Sequence, residues 1–319
     1  MASSQQSLET AAPRPFARPQ PSVRARAKRW LQKNAMWYLF LAPALLMLFA
    51  FMAIPLFKSL ELSFYQWNGL RPREYVGLEN FTDLVEDRFF WGALQHTIVF
   101  AVFATLGTVG IGLLLAVAIS RRVLGSGIFR IAFYLPVMLP MTVTAALWVR
   151  IYETNYGLLN TLLREIGLGA FAQQWIATPQ TALGSIIAVA VWQYSGFPMV
   201  VLLAAIENIP NDLHEAATLD GVSEFQRLRF ITVPLIRPVL ISISVIQVIF
   251  SLKVFDLVWV MTKGGPGESS SVLGTYLYRK AFELQDYGYA SAVAVTMFLI
   301  IFTVTYTYYR LMKIEAVEY

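Results

Sequence analysis

Six long apolar runs dominate this chain of 319 residues. Each is uncharged or nearly so, and each approaches or exceeds the ~20 residues that a helix needs to cross the ~30 Å hydrocarbon core of a bilayer. The runs lie near residues 36–59, 96–120, 129–151, 182–206, 239–262 and 287–310. The whole chain is 57% hydrophobic and only 14% charged, which is outside the usual range of soluble domains. We therefore predict an all-α integral membrane protein with six transmembrane helices.

The segments outside these runs predict the domain boundaries and the orientation. Residues 1–35 are basic and rich in polar residues and proline, so we expect a disordered tail. We expect one membrane domain over 36–312 and a second short tail over 313–319. Lys and Arg are more numerous in the loops on the side of the N-terminus, and six spans return the C-terminus to that side. The positive-inside rule then predicts that both termini are cytoplasmic.

Composition also limits the chemistry that we expect. The chain has no cysteine and two histidines, so we expect neither disulfides nor a metal site. The sequence contains no clustered catalytic carboxylates, and we predict no catalytic residues. The net charge of +5 is explained by topology, and we expect contact with membrane lipid and no nucleic acid. The segment GGPGESSS at 264–271 lacks the lysine of a phosphate-binding loop, so it is interpreted as a turn.

The polar connection between the fourth and fifth runs is longer than two spans require. Asn211 can cap a helix over DLHEAATL, and Gly221 lies where a left-handed residue would end it. Ser223 and Gln226 have the capping-box spacing and begin a second helix. We expect Pro234 to stop that helix. The pattern predicts a helix, a glycine turn and a second helix.

Ordering such a hairpin costs conformational entropy, which a functional contact would offset. One interpretation is that the loop, residues 207–238, docks on another protein. The alternative is an amphipathic hairpin that lies in the lipid headgroup layer. The small side chains of Ala216 and Ala217 favour docking, because they would bury little apolar area in lipid.

The same loop carries a family resemblance. Glu215-Ala216-Ala217, Gly221 and Ile231-Thr232-Val233-Pro234 resemble the EAA signature of binding-protein-dependent ABC-importer permeases, although Val233 stands where the family usually has Leu. We call residues 207–238 the EAA loop. Further segments resemble the sugar-uptake branch, the maltose and glycerol-3-phosphate type, namely VGLENF at 76–81, FYLPVMLP at 133–140, ALWVRIY at 146–152, TKGGPGESSSVLGTYLYRKAF at 262–282 and GYASAVAV at 288–295. The resemblance extends over about residues 36–312.

The resemblance implies the type I permease fold of ABC importers and a set of partners. The partners would be a second permease that forms a heterodimer with this chain, two ATPase subunits and an external solute-binding protein that delivers a sugar. ATP and Mg would bind the ATPase subunits, and this chain would carry no cofactor. The implied location is the cytoplasmic (inner) membrane of a bacterium or archaeon.

The resemblance also assigns roles to residues of the EAA loop. Glu215 would place the coupling helix in a cleft of the ATPase, and Gly221 would form the turn that follows. The residues implied in ATPase coupling are Glu215, Ala216, Ala217, Asp220, Gly221 and Pro234.

Solute contacts are expected in the fifth run. Gln247 and Ser251 are four residues apart and share a helix face, and hydrogen-bonding groups beside an aromatic ring suit a sugar. The resemblance places solute contacts on the same stretch and on a second one in the fourth run. The implied substrate-binding residues are Gln247, Phe250, Ser251, Val254, Ser195, Gly196 and Met199.

Four questions stay open from the sequence. Lys253 and Asp256 either line the solute path or neutralise each other near the outer end of the span. Residues 192–194 either line that path or serve packing, and the partner permease could hold the solute instead. An ion-coupled secondary transporter, with Lys253 and Asp256 at its centre, is the alternative function.

Overall fold

The computed structural model describes residues 23–121 and 125–312. The predicted tails at 1–22 and 313–319 lie outside the described residues. The chain divides into two compact units, residues 1–57 and residues 58–319. The α-helices are α1 Val23–Leu48, α2 Ile54–Leu62, α3 Glu79–Glu86, α4 Arg88–Ser120, α5 Ser126–Tyr134, α6 Met141–Ile151, α7 Leu158–Glu165, α8 Ala182–Tyr194, α9 Gly196–Glu207, α10 Asn211–Leu219, α11 Glu224–Arg227, α12 Val233–Leu235, α13 Arg237–Leu252, α14 Asp256–Thr262, α15 Leu273–Tyr278 and α16 Tyr287–Met312.

Several shorter elements interrupt or connect these helices. π-Helical turns occupy Phe49–Ala53, Leu228–Thr232 and Arg279–Glu283, and 3₁₀ turns occupy Leu135–Met138 and Gly169–Phe171. The strands β1, Tyr65–Gln66, and β2, Glu74–Tyr75, form one antiparallel pair in which Tyr65 is opposite Tyr75.

The first unit contains helical residues before the expected start of the membrane domain, and its candidate span begins at Met36. Helix α1 begins at Val23, so residues 23–35 are helical and not part of a disordered tail. Arg, Lys, Ala, Leu and Gln in this stretch are strong helix formers, and this propensity outweighs the lack of apolar periodicity. The π-turn Phe49–Ala53 connects α1 to α2.

Candidate membrane spans were identified by length and composition. Among the described residues three helices qualify, Met36–Leu62, Arg88–Ser120 and Tyr287–Leu311. Three further pairs of helices qualify when each bent pair is counted as one span, which gives as many as six spans. The pair around residue 139 bends by 97°, the pair around Ser195 by 42° and the pair around Ile236 by 75°. The structure is therefore compatible with the six predicted spans, half of which are broken.

The fifth run differs most from its prediction. Residues 239–262 do not form one helix, because α13 ends at Leu252 and α14 begins at Asp256. Phe255 has φ −142° and ψ −63°, outside the helical region. Non-helical backbone at membrane depth is tolerated where it is buried in protein or lines a cavity. Apolarity predicts the length of such a run but not a break inside it.

Helix α4 is central to the second unit. It packs against α8, α9 and α13, while α13 also packs against α16. Helix α14 packs against different neighbours, α6 and α8. Three clusters of buried apolar side chains fill the spaces between these helices, and fully buried members include Ile186, Met199 and Leu257. The two helices on either side of the break at 253–255 therefore belong to different packing groups.

Candidate functional site

The EAA loop forms the predicted helix, turn and helix. Helix α10 starts at Asn211, so Asn211 is its first residue and Pro210 occupies the N-cap position without a side-chain hydrogen bond. Asn211 is thus not the cap that we expected. The helix ends in a Schellman motif, in which the Gly221 amide donates to the Thr218 carbonyl and the Val222 amide to the Ala217 carbonyl, each at 3.1 Å.

Gly221 adopts the left-handed conformation that the sequence predicts, with φ +70°. A residue with a Cβ would be strained there. The following capping box is present as well. The Gln226 amide donates to the Ser223 hydroxyl at 3.3 Å, and the Ser223 amide donates to Gln226 Oε1 at 2.9 Å. The local sequence therefore accounts for both ends of the turn.

Pro234 does not end the second helix, which corrects the prediction. Helix α11 passes into the π-turn Leu228–Thr232, and Pro234 lies at the start of α12, which ends at Leu235. A proline in the first turn of a helix removes no required hydrogen bond, so the helical path continues past it. The chain then bends by 75° into α13.

Several residues implied in coupling are exposed on the EAA loop. Glu215, Ala216, Asp220, Gly221 and Pro234 are accessible, whereas Ala217 is buried. Leu219 is 89% exposed, and Phe225 is also exposed. Exposed large apolar side chains mark a surface that contacts another protein or the membrane. We call α10 and α11 with the turn between them the loop hairpin.

The loop hairpin contacts the end of α4 through an ion pair. Arg121, which follows α4, forms an ion pair with Glu224 of the hairpin at 3.1 Å, and Arg227 contacts the same carboxylate. A cleft of about 370 Å³ lies between the hairpin and the ends of α4 and α9. Movement of the hairpin would therefore act on the ends of helices that form the core of the second unit.

A cavity of about 550 Å³ lies inside the second unit, within the size range of small-molecule sites. Helices α4, α6, α8, α9, α13 and α14, the turn before α6 and the break at 253–255 contribute to its wall. The lining residues are Phe100, Ala104, Thr108, Val137, Met141, Ala190, Tyr194, Phe197, Gln247, Phe250, Ser251, Lys253, Val254, Phe255, Asp256 and Leu257.

The structure brings four of the implied solute contacts to this cavity. Gln247, Phe250, Ser251 and Val254 all contribute to the lining. Gln247 is only 4% exposed, yet its amide makes no side-chain hydrogen bond with another described residue. Ser251 likewise has no hydroxyl partner in the described part of the chain. Buried polar groups are normally hydrogen-bonded, so these two are available to a solute. Solute contact by the four residues stays a prediction.

The other three implied contacts lie elsewhere. Ser195, Gly196 and Met199 do not line the cavity. Met199 is fully buried in an apolar cluster. A Cβ on Gly196 would lie 2.3 Å from the Phe133 carbonyl oxygen, so the glycine permits close approach of α5 and α9. The structure gives these residues packing contacts, and their role in solute binding stays a prediction.

Residues beside them face the cavity. Ala190 and Tyr194 are four residues apart on α8, and Phe197 lies in the first turn of α9, beyond the 42° bend at Ser195. Sequence reasoning considered Tyr194 for the solute path and missed Phe197. Trp192 packs against Trp148, with ring centroids 5.4 Å apart. Helical spacing from Tyr194 was the signal that could have identified Phe197.

The charged pair also lines the cavity. Lys253 and Asp256 both contribute to its wall and both are exposed. No ion pair joins them to each other or to another described residue, so they do not neutralise each other by direct contact. The Lys253 ammonium lies 6.0 Å from the centroid of the Phe250 ring.

Comparison with known proteins identifies the family. Residues 108–313 match the model of the family described as binding-protein-dependent transport system inner membrane component. The chain is 38% identical over 272 residues to the probable ABC transporter permease protein YurN of Bacillus subtilis, covering 84% of this chain and 93% of that protein. It is 32% identical over 275 residues to the trehalose/maltose transport system permease protein MalF of Thermococcus litoralis, covering 86% and 92%.

A solved structure shows the same fold. A chain in the crystal structure of a bacterial alginate ABC transporter, in complex with an alginate-bound periplasmic protein, superposes with a TM-score of 0.79. The superposition covers 91% of this chain and 100% of that one, at 23% sequence identity. The chain therefore belongs to the family of inner-membrane components of binding-protein-dependent transport systems and has the fold of an ABC-importer permease. This family supports the binding-protein-dependent interpretation over the ion-coupled alternative.

Proposed function

We propose that this chain is one permease subunit of an ATP-driven importer for a sugar or oligosaccharide. The observation that carries the proposal is the internal cavity, in which the unpartnered amide of Gln247 and hydroxyl of Ser251 lie beside aromatic rings. Hydroxyl groups of a sugar would satisfy these polar groups, and its C–H faces would pack on the rings. The trehalose/maltose permease relative supports this class of solute.

The proposal includes the partners that such a subunit requires. A second permease would complete the translocation path, and an external solute-binding protein would deliver the sugar. Two ATPase subunits, with ATP and Mg bound to them, would supply the energy, so this chain needs no cofactor and catalyses no reaction. The EAA loop and both termini would face the cytoplasm, where the ATPase subunits bind. The periplasmic protein in the alginate transporter complex supports the delivery step.

The loop hairpin would receive the motion of the ATPase subunits. Its exposed face carries Glu215 and Leu219, while Glu224 connects the hairpin to Arg121 at the end of α4. A rigid-body displacement of the hairpin would pull on α4 and, through α12, on α13. Such a displacement would change access to the cavity, in the manner of alternating-access transporters.

Two substitutions in the hairpin test this coupling. Glu215→Lys reverses an exposed charge, and Gly221→Asp places a Cβ at φ +70°. Each is expected to reduce ATPase association by about tenfold or more, since loss of an interface anchor commonly costs over ~1.4 kcal/mol. Co-purification of the ATPase subunits and ATP-dependent uptake in proteoliposomes are the measurements.

Glu165→Lys is the matched control, because Glu165 is an exposed carboxylate on α7, outside the hairpin. The control should assemble and transport normally. Normal transport by both hairpin variants would show that the EAA loop does not couple this chain to an ATPase.

A further inference from the structure

Helix α7 exposes a row of large apolar side chains. Leu158 and Leu162 on the helix and Ile166 directly after it follow one another at four-residue spacing, so they lie on one side. They are 56%, 50% and 66% exposed. Asn160 lies on the opposite side and is buried. We call the three exposed side chains the apolar stripe; exposed apolar surface of this kind marks a contact with another protein or with the membrane.

A polar side lies next to the apolar stripe. A helix turns by about 100° per residue, which places Thr161, Arg164 and Glu165 between the stripe and the buried side. All three polar residues are exposed. A helix that is apolar on one exposed side and polar on another has the pattern of helices that lie in the plane of a bilayer surface.

The hydrogen bonds of α7 place it level with the ends of two candidate spans. Asn160 donates to the carbonyl of Thr154 at 3.0 Å, and Thr154 comes three residues after the end of α6. Asn160 also accepts from Trp175 Nε1 at 2.8 Å, and the Trp175 carbonyl accepts from Ser185 in the first turn of α8 at 2.8 Å. Helices α6 and α8 each belong to a bent pair that qualifies as a span. Helix α7 therefore lies where these spans leave the hydrocarbon core.

An aromatic cluster at the same two helix ends indicates the same depth. The ring of Tyr152 lies 5.1 Å from that of Trp148 and 5.9 Å from that of Trp175, between centroids. Trp and Tyr are enriched where the hydrocarbon core meets the headgroups. This observation is independent of the hydrogen bonds of Asn160, and it also places α7 beside the headgroup layer.

We propose that α7 lies in the headgroup layer and inserts the apolar stripe into lipid, which fixes the corner between α6 and α8 at the bilayer surface. In the proposed topology this layer belongs to the outer leaflet. Insertion removes the stripe from water while the polar side of α7 stays hydrated. A solute-binding protein fits the stripe less well, because it associates transiently and such interfaces are no more apolar than the rest of a protein surface. The stripe would face water whenever that protein left.

Spin labels on the two sides of α7 test the proposal. Leu162→Cys and Thr161→Cys introduce single thiols into a chain that has none, one on the stripe and one on the polar side. The full-length chain is isolated with its bound partners in discs of its own membrane and labelled with a nitroxide. Oxygen concentrates in hydrocarbon and a nickel chelate stays in water. We expect the ratio of oxygen to chelate collisions to be several-fold higher at position 162 than at position 161.

The wild-type complex gives the background from thiols of the partners. Both substitutions replace exposed side chains, so the thermal unfolding midpoint of each variant should stay close to that of wild type. Equal collision ratios at the two positions would overturn the proposal. A label at 162 that neither reagent reaches would overturn it too, since a protein partner would then cover the stripe. The measurement needs neither solute nor ATP, so its result does not depend on the proposed function.

Discussion

Asn160 is a buried side chain whose amide is fully used. Its Nδ2 donates to the carbonyls of Thr154 and Gln173 at 3.0 and 2.9 Å, and its Oδ1 accepts from Trp175 Nε1 at 2.8 Å. Asn160→Leu would bury an apolar side chain there and remove the partner of the partly buried Thr154 carbonyl and Trp175 indole N–H. We expect it to destabilise the second unit by about 3 kcal/mol, since an unsatisfied buried group costs ~1–3 kcal/mol. The thermal unfolding midpoint of the detergent-solubilised chain should fall.

Asn155→Ala is the matched control for this substitution, because Asn155 is an exposed asparagine nearby in the same segment. The control should shift the midpoint only slightly. Equal shifts in both variants would show that the amide network of Asn160 contributes little stability.

The internal cavity shows how far single residues can be predicted. Gln247 and Ser251 could be selected because a four-residue spacing defines one helix face, and that face does line the cavity. Ser195 and Met199 are also four apart, but their face packs into the protein while Phe197 faces the cavity. Spacing groups residues onto a face, whereas the choice between two faces depends on neighbouring helices. That choice requires the tertiary structure.

At the scale of helices, Asp87 joins three elements. It precedes α4 and accepts hydrogen bonds from Tyr276 of α15 at 2.5 Å and from Tyr289 of α16 at 3.2 Å. Lys280 forms an ion pair with it at 3.2 Å. Burial raises the pKa of the Asp87 carboxyl, but hydrogen bonds from Tyr276, the Phe89 amide and Lys280 outweigh burial. The pKa therefore lies below its ordinary value of 3.8.

A depressed carboxyl pKa predicts how stability changes with pH. The charged form contributes stability above pH 3.8, and this contribution is lost as the pH falls through the lower pKa of the folded state. Asp87→Asn should lower the unfolding midpoint at pH 7, and the difference from wild type should shrink as the pH falls below 3.8. Thermal unfolding of the solubilised chain over a pH series measures this.

Asp83→Asn serves as the control, since Asp83 is exposed and belongs to α3. It should leave the pH profile almost unchanged. A difference between Asp87→Asn and wild type that is constant with pH would show that the contribution of Asp87 does not depend on its charge.

Local sequence predicts some elements well and others poorly. The loop hairpin could be predicted because Gly221 and the Ser223–Gln226 capping box act within a few residues. The break after Leu252 and the π-turn Leu228–Thr232 could not, because both lie in apolar or helix-forming sequence. The break borders the cavity, while Leu228 and Thr232 of the π-turn border the cleft beside the loop hairpin. Such deviations depend on contacts distant in sequence.

At the scale of the whole molecule, the absence of cysteine permits a direct test of orientation. Tyr156 is exposed in the 152–181 connection, and Leu219 is exposed in the EAA loop. In intact cells or right-side-out vesicles, an impermeant maleimide should label Tyr156→Cys and not Leu219→Cys. Inverted vesicles should give the opposite result. The same sidedness for both variants would contradict the proposed topology.

The wild-type chain provides the background for this experiment, because it contains no thiol. ATP-dependent transport by Tyr156→Cys should be retained, since its side chain is exposed and outside the cavity lining. Leu219→Cys lies on the hairpin face that would dock the ATPase subunits, so its labelling is measured in vesicles that contain this chain without them.

The break at 253–255 also has a thermodynamic consequence. It divides the polar groups of the cavity between α13, which packs on α4 and α16, and α14, which packs on α6 and α8. A solute that contacts Gln247 and Asp256 together has its full affinity in only one relative position of these helices. By linkage, any process that changes that position changes solute affinity, and the bound solute biases the process by the same free energy. Under the proposed function, the interruption of one helix makes solute occupancy and conformational state reciprocal variables.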